Sequence, residues 1–331
     1  MNSLKNFFCQ NRQLIVVACL ALAACSALAQ GALTPPGAPA PTMKSLAQIE
    51  PRTPISSAPF TISAPGSYYL TTNVTVSAGD AITIAANNVT LDLNGFTIAS
   101  TQPIAATSSA ILLNAVTNIA IYNGHISSGV TITGGVFGGG GFGNGIYFPG
   151  YPPFNVRVKD VSVAGVLNSG IYLGIVNSTV VESCTVNVAG NSGILADSVS
   201  DSTVLNCGNV GITARTAQNC KGQSVGYSFG LSADTANNCF GENDGNGTGL
   251  IATTANNCYG FGGGGGLSAI TANDCYGECD TGTGLYADAV ATGCYGYSSS
   301  DTGLAAFIAS VCHGATGSGT ALSVTHNVNS F

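Results

Sequence analysis

One periodicity constrains this chain of 331 residues more than any other feature. A Gly-(Ile/Leu) step recurs at Ile146, Ile171, Ile194, Ile212, Leu231, Leu250, Leu267, Leu285 and Leu304 and continues as Ala321-Leu322; from Ile194 onward the copies are 17 to 19 residues apart. A unit that short has no room for a helix pair. It holds two or three short strands with turns, and such units bury an apolar face only by stacking on their neighbours into a solenoid. From Ala214 the motif sharpens to Thr-Ala-x-Asn-Cys-x-Gly followed by Gly-Leu-x-Ala, as in Thr235-Ala236-Asn237-Asn238-Cys239-Phe240-Gly241 and Thr254-Ala255-Asn256-Asn257-Cys258-Tyr259-Gly260.

Comparing the copies with one another gives side-chain direction. Leu231 and Ala233 alternate with Ser232 and Asp234, the period-two pattern of a strand with one buried face. Cysteine holds one position through Cys220, Cys239, Cys258, Cys275, Cys294 and Cys312, whereas the next residue is Lys221, Phe240, Tyr259, Tyr276, Tyr295 or His313. A position that accepts lysine faces water, so the cysteines point inward and their followers outward. Stacked coils lie about 4.8 Å apart, which turns like residues into ladders and predicts a rod of roughly 60 Å. In the N-terminal third, Ala81-Ile82-Thr83-Ile84, Val89-Thr90-Leu91-Asp92-Leu93 and Ile119-Ala120-Ile121 alternate in the same way and break at Asn94-Gly95 and Asn123-Gly124, with Tyr68 to Val76 as the expected start of the stack.

Composition agrees with this architecture. Charged residues make up 7% of the chain, against about 25% in ordinary domains. With 45% apolar residues and a net charge of −7 the chain lacks the signature of disorder. Its 45 glycines keep no three-residue period, which excludes collagen, and eight scattered Lys and Arg cannot neutralise a run of phosphates, which excludes a nucleic-acid partner. The glycines are expected in the turns, with Ser, Thr and Asn on the outward positions.

The N-terminus reads as an export signal. Lys5 and Arg12 precede the uncharged run Leu14 to Ala24, and Ala27-Leu28-Ala29 is an A-x-A cleavage site. No later apolar run is long enough for a transmembrane segment. The domain reading is therefore a signal peptide over 1–29, a Pro-rich linker and N-terminal cap over 30–58, and the solenoid over 59–331. Export implies a secreted or cell-surface protein. Leu22-Ala23-Ala24-Cys25 resembles a lipobox, and the alternative is an outer-membrane lipoprotein acylated at Cys25.

The stretch from Pro65-Gly66-Ser67-Tyr68-Tyr69-Leu70 through Val89-Thr90-Leu91-Asp92-Leu93-Asn94-Gly95-Phe96-Thr97-Ile98, together with the Asn-Cys-Tyr-Gly repeats, closely resembles a bacterial exported family of right-handed parallel β-helix repeat proteins. That resemblance covers nearly the whole chain after the signal. It implies an all-β, single-stranded right-handed parallel β-helix of pectate-lyase-like architecture, with coils of about 17–25 residues. Lyases, hydrolases, adhesins and proteins without assigned activity share that fold, so chemistry must come from the residues.

The strongest functional candidates are aromatic. Phe240, Tyr259, Tyr276 and Tyr295 should form an outward row whose ring faces, with Asn, Ser and Thr neighbours, suit a neutral polysaccharide. A second aromatic group (Phe137, Phe142, Tyr147, Phe148, Tyr151, Phe154) surrounds the Gly-rich insertion 134–145, which is expected to fold over a lateral face. Catalytic candidates are weak. Arg157 could hold a sugar carboxylate with Lys159 as base, but the register that aligns Val161 with Cys184 sets Lys159 beside Glu182, where a surface ion pair is the plainer reading. Neither the acid cluster of a calcium-dependent lyase nor the paired carboxylates of a hydrolase flank Arg157. Asp92 and His125 read as isolated, and His313 and His326 have no visible catalytic partner.

The acid pairs Glu242/Asp244 and Glu278/Asp280 lie two coils apart and read as solvated turn acids; separate weak Ca2+ sites are the one cofactor reading. The Cys column reads as buried thiols filling space, since equivalent residues on parallel strands point their Cβ atoms the same way, which strains a disulfide, and a one-dimensional row cannot surround zinc tetrahedrally. Cys279, in Gly277-Glu278-Cys279-Asp280, falls outside the column and is the candidate reactive or intermolecular thiol. The expected function is an exported, non-catalytic surface or matrix binding protein with polysaccharide as favoured ligand. A carbohydrate-active enzyme, lyase before hydrolase, is the first alternative, and a structural cell-surface rod that self-associates is the second.

Overall fold

The computed structural model describes residues 51–105 and 107–331. The signal peptide, the lipobox around Cys25 and residues 30–50 lie outside the described residues. Within them the chain is all β: parallel strands wind into a right-handed β-helix of about 14 turns, with no helix long and apolar enough to cross a membrane.

Each repeat contributes one long and one short strand. The long strands Ile212–Gln218, Phe229–Asn237, Thr248–Asn256, Gly265–Asn273, Leu285–Thr292, Leu304–Ser310 and Leu322–Val328 pair in parallel, each with the next. The short strands Lys221–Ser224, Phe240–Asn243, Tyr259–Gly262, Tyr276–Cys279, Tyr295–Ser298 and His313–Thr316 do the same on another side of the coil. Register places Leu231, Leu250, Leu267, Leu285 and Leu304 in one buried column. The six repeat cysteines form a second buried column, with their followers outside, as the comparison of repeats predicts.

The stack includes Thr53–Ile55, which pairs with Tyr68–Leu70 and lies inside the segment read as linker and cap. Arg52 anchors it. Its guanidinium donates to Asp92 Oδ2 at 2.8 Å and lies 4.6 Å from the centre of the Tyr69 ring. Asp92, which reads as solitary in the sequence, also accepts the backbone N–H of Asn94 at 2.7 Å and the amide of Asn123 at 3.2 Å. Its partners are 40, 2 and 31 residues away in sequence, which is why a linear reading leaves it alone.

The interior narrows along the rod. Large aliphatics such as Ile62, Leu70, Ile82, Leu91 and Ile111 fill the first coils, whereas the later ones are filled by Leu, Ala, Cys and Gly. The placement of glycine in turns holds for Gly79, Gly95, Gly134 and Gly135 but not for the later coils' interior glycines. Gly241, Gly260, Gly277, Gly296 and Gly314 sit on the short strands and face Gly249, Gly266, Gly284, Gly303 and Ala321 across the coil. A Cβ on Gly249 would lie 2.3 Å from the amide nitrogen of Phe261, and one on Gly260 2.3 Å from the carbonyl oxygen of Gly266. Two backbones thus meet inside each coil, and only hydrogen fits between them.

The Gly-rich insertion forms an antiparallel hairpin, Gly129–Thr133 with Val136–Gly140. It lies over a lateral face as expected, with Phe137 over Gly190 and Gly208, where a Cβ would come within 3.3 and 3.0 Å of its ring or Cβ. Phe142 is fully buried, Tyr147 and Phe148 cluster with Tyr172 at ring separations of 5.5 to 5.9 Å, and Tyr151 is 83% exposed. The second aromatic group therefore divides between core and surface.

Candidate functional site

The corner joining each long strand to its short strand creates the main surface feature. In successive coils the residue before the ladder cysteine has a left-handed backbone: Asn219, Asn238, Asn257 and Asp274 have φ between 49° and 54°, followed by Gly293 and Val311. That conformation costs an L-residue roughly 1–2 kcal/mol, least for Asn, Asp and Gly, which accounts for their recurrence here. Stacked corners bring the amides into line. Asn257 donates to Asn238 at 2.7 Å, Asn238 to Asn219 at 3.3 Å, and Asn219 to Asp201 at 3.0 Å. A second, half-buried amide row runs beside it, Asn273 to Asn256 at 2.9 Å and Asn256 to Asn237 at 2.8 Å.

On the other side of the corner stands the aromatic row. Ring centres of Phe240, Tyr259, Tyr276, Tyr295 and His313 succeed each other at 4.9, 4.8, 4.9 and 5.1 Å. The Lys221 ammonium covers the Phe240 ring at 4.8 Å at one end, and Phe331 meets His313 edge-on at 4.9 Å at the other. The predicted row is therefore real and longer than expected, and His313 is a member of it. Coil spacing brings neighbouring rings into contact: Phe240–Tyr259, Tyr276–Tyr295 and Tyr295–His313 stack within 15° of parallel, whereas Tyr259 and Tyr276 are tilted by 47°.

The acids behind the row are engaged. Glu278 Oε2 accepts both the Tyr259 hydroxyl at 2.9 Å and the Tyr276 hydroxyl at 3.1 Å. Burial and this shared carboxylate push the Tyr276 hydroxyl up to about 12, and Tyr259 moves in the same direction. Glu242 pairs with Lys221 at 2.9 Å, and Asp244 accepts from Gln223 at 2.8 Å, with burial and then Glu242 raising its carboxyl. Glu242 and Glu278 project from strands rather than from solvated turns, because the pair spacing places them two residues after the outward aromatic. Among the described residues no group of three or more His, Cys, Asp or Glu converges on a point.

Between the amide row and the rings runs an open groove of about 550 Å3, lined across four coils from Asn219 to Tyr276. Its walls are Asn219, Asn238 and Asn257 on one side and Phe240, Tyr259 and Tyr276 on the other, with Lys221 at one end and Asp274 at the other. The asparagine wall is missing from the sequence reading, although Asn, Asp or Gly before five of the six ladder cysteines was a visible sign of a left-handed corner.

The remaining candidates lie elsewhere. Arg157 and Lys159 share the strand Phe154–Val166, and Lys159 Nζ binds Glu182 Oε1 at 2.7 Å, the neighbour that the register gives it. Hydrogen bonding to Glu182, then its charge, raises the Lys159 pKa, the direction opposite to that required of a base at neutral pH. His125 is not isolated: its Nδ1 lies 2.7 Å from Ser162 Oγ, on exposed paired strands, and among the described residues no carboxylate bonds its other nitrogen.

Cys279 overturns its assignment as the reactive loop thiol. It ends the strand Tyr276–Cys279, is fully buried, and donates to the Gly282 carbonyl at 2.8 Å. Glu278 points out of the coil, so its neighbour must point in; burial first of all raises the Cys279 thiol. All nine described cysteines are free and buried, with Cys184 pushed up to about 11 and Cys207 to about 12 by desolvation. Comparison of the chain with family models, with curated proteins and with solved structures finds no match.

Proposed function

We propose that this chain is an exported, non-catalytic β-helix that binds a neutral polysaccharide in the groove between the asparagine and aromatic ladders. The observation that carries this reading is the groove itself: three aligned amides and three aromatic rings line it over four successive coils. A linear, repeating ligand is the shape such a surface repeats for. Sugar hydroxyls would bond the exposed amides, and the sugar CH groups would lie against the rings. The sequence resemblance to exported bacterial β-helix repeat proteins supports the same compartment and architecture, with secretion after Ala29 or lipidation at Cys25 as its two routes.

A panel of soluble and immobilised polysaccharides tests the reading. Binding should appear with neutral glycans, and Asn238→Ala or Asn257→Ala should each weaken it about fivefold, the value of one hydrogen bond near 1 kcal/mol. Release of unsaturated oligosaccharides from uronate polymers, abolished by Arg157→Ala or Lys159→Ala, would replace it with the lyase reading. Absence of both binding and turnover would leave a structural rod.

A further inference from the structure

The cysteine column has a geometry that packing alone does not require. Cys220, Cys239, Cys258, Cys275, Cys294 and Cys312 occupy six consecutive coils and are 1–3% exposed. All six adopt one orientation, each Sγ lying 3.1 to 3.3 Å from the carbonyl oxygen two residues before it. Identical placement in stacked coils makes the sulfur spacing equal to the coil rise, about 4.8 Å for parallel strands. The midpoint between adjacent sulfurs is then about 2.4 Å from each, close to the roughly 2.3 Å of a metal–thiolate bond.

We propose that this column binds soft, two-coordinate d10 cations of the Cu(I), Ag(I) and Hg(II) class, each held linearly between two sulfurs of adjacent coils. Thiolates select such metals, and linear coordination is the one arrangement a row of ligands can supply. Zinc, which needs four ligands around a point, finds none. Binding breaks two S–H bonds and forms two S–metal bonds, releasing two protons to solvent with no change of oxidation state. A sulfur bridging two cations in a straight line is disfavoured, so cations occupy alternate gaps, 220/239, 258/275 and 294/312, for three per chain. The backbone N–H of Cys294 already points at Cys312 Sγ at 3.5 Å, a donor suited to a thiolate. Hg(II) with two thiolates is neutral, which minimises the cost of burial, and should bind most tightly.

The test uses the purified exported protein, kept reduced and anaerobic, exposed to Hg(II) or Ag(I), desalted, and assayed for metal content, proton release and X-ray absorption. Three equivalents should be retained, with two protons released per cation and two sulfurs at about 2.3–2.4 Å. Cys258→Ser should retain two equivalents, because only two of the adjacent pairs left among the five thiols can be filled without sharing a sulfur, while Cys207→Ser, outside the column, should retain three. Serine is tolerated at this position: Ser202 and Ser330 occupy the equivalent places beside the column and accept the backbone N–H groups of Cys184 and Cys312. Circular dichroism of both variants verifies the fold. Retention of no metal, coordination by three or four sulfurs, or an unchanged count in Cys258→Ser would overturn the proposal, as would recovery of the column thiols as disulfides.

Discussion

Leu250→Ala measures how the leucine column holds the stack together. Leu250 is fully buried and lies in register between Leu231 and Leu267. Truncation removes three carbons, a transfer loss of about 2.4 kcal/mol at roughly 0.8 per carbon, and the rigid coils on both sides prevent collapse of the cavity. The total cost should be about 3–4 kcal/mol. Leu322→Ala removes the same atoms from the last long strand, where Leu322 is half-buried and Leu304 is its sole strand partner among the described residues. About half the contact is lost there, so the cost should be near 1.5 kcal/mol. Urea unfolding read by tyrosine emission suits both variants, since the chain has twelve tyrosines and no tryptophan. With a urea dependence of about 3 kcal/mol per M, the midpoints should fall by about 1 M and about 0.5 M. Equal shifts would refute the nearest-neighbour account of the column, and an interior shift well below about 0.8 M, which the transfer loss alone demands, would contradict the burial of Leu250.

Other outcomes follow from the same geometry. Val311, a β-branched residue at φ 53° and 64% exposed, should gain about 1 kcal/mol on substitution by Asn, raising Tm by about 2–4 °C. Gly249→Ala should cost about 3 kcal/mol because its Cβ meets backbone on the facing strand, whereas Gly95→Ala, with open space around it, should cost about 1 for its positive φ; calorimetry ranks them. Tyr276 binds its proton more tightly folded, at about 12, than unfolded, near 10, so its stabilisation is complete below about pH 10 and is lost as pH rises toward 12. Glu278→Gln should move the late part of the tyrosinate absorbance titration to lower pH, and superimposable curves would contradict the shared hydrogen bond. Ellman's reagent should leave all nine described cysteines unreacted in the native protein, and rapid labelling of Cys279 would contradict its burial.

Much of the architecture is legible in a linear reading because the chain contains many copies of one answer. Lysine in the place of Phe240 or Tyr259 reveals an outward position, and an invariant cysteine beside it reveals an inward one. The same comparison places Lys159 against Glu182. It fails for contacts without a repeat to compare, such as Arg52 with Asp92 and His125 with Ser162, whose partners are distant in sequence and meet only when coils stack. It also fails for Cys279, where a strand continues one residue further than its charged neighbours indicate.

The repeat alone determines that the chain is a stack of short coils, which residues face inward, and that like residues form ladders, because a period of 17 to 19 residues admits no other way of burying an apolar face. Tertiary structure decides what those ladders do. Closure of each coil brings two backbones together, which places glycine inside as well as in the turns. The corner between strands aligns the left-handed asparagines beside the rings and opens the groove. Coil rise sets neighbouring rings in contact and sets the sulfurs about two metal–thiolate bonds apart. Each of these depends on distances between coils, and a linear pattern carries order without distance.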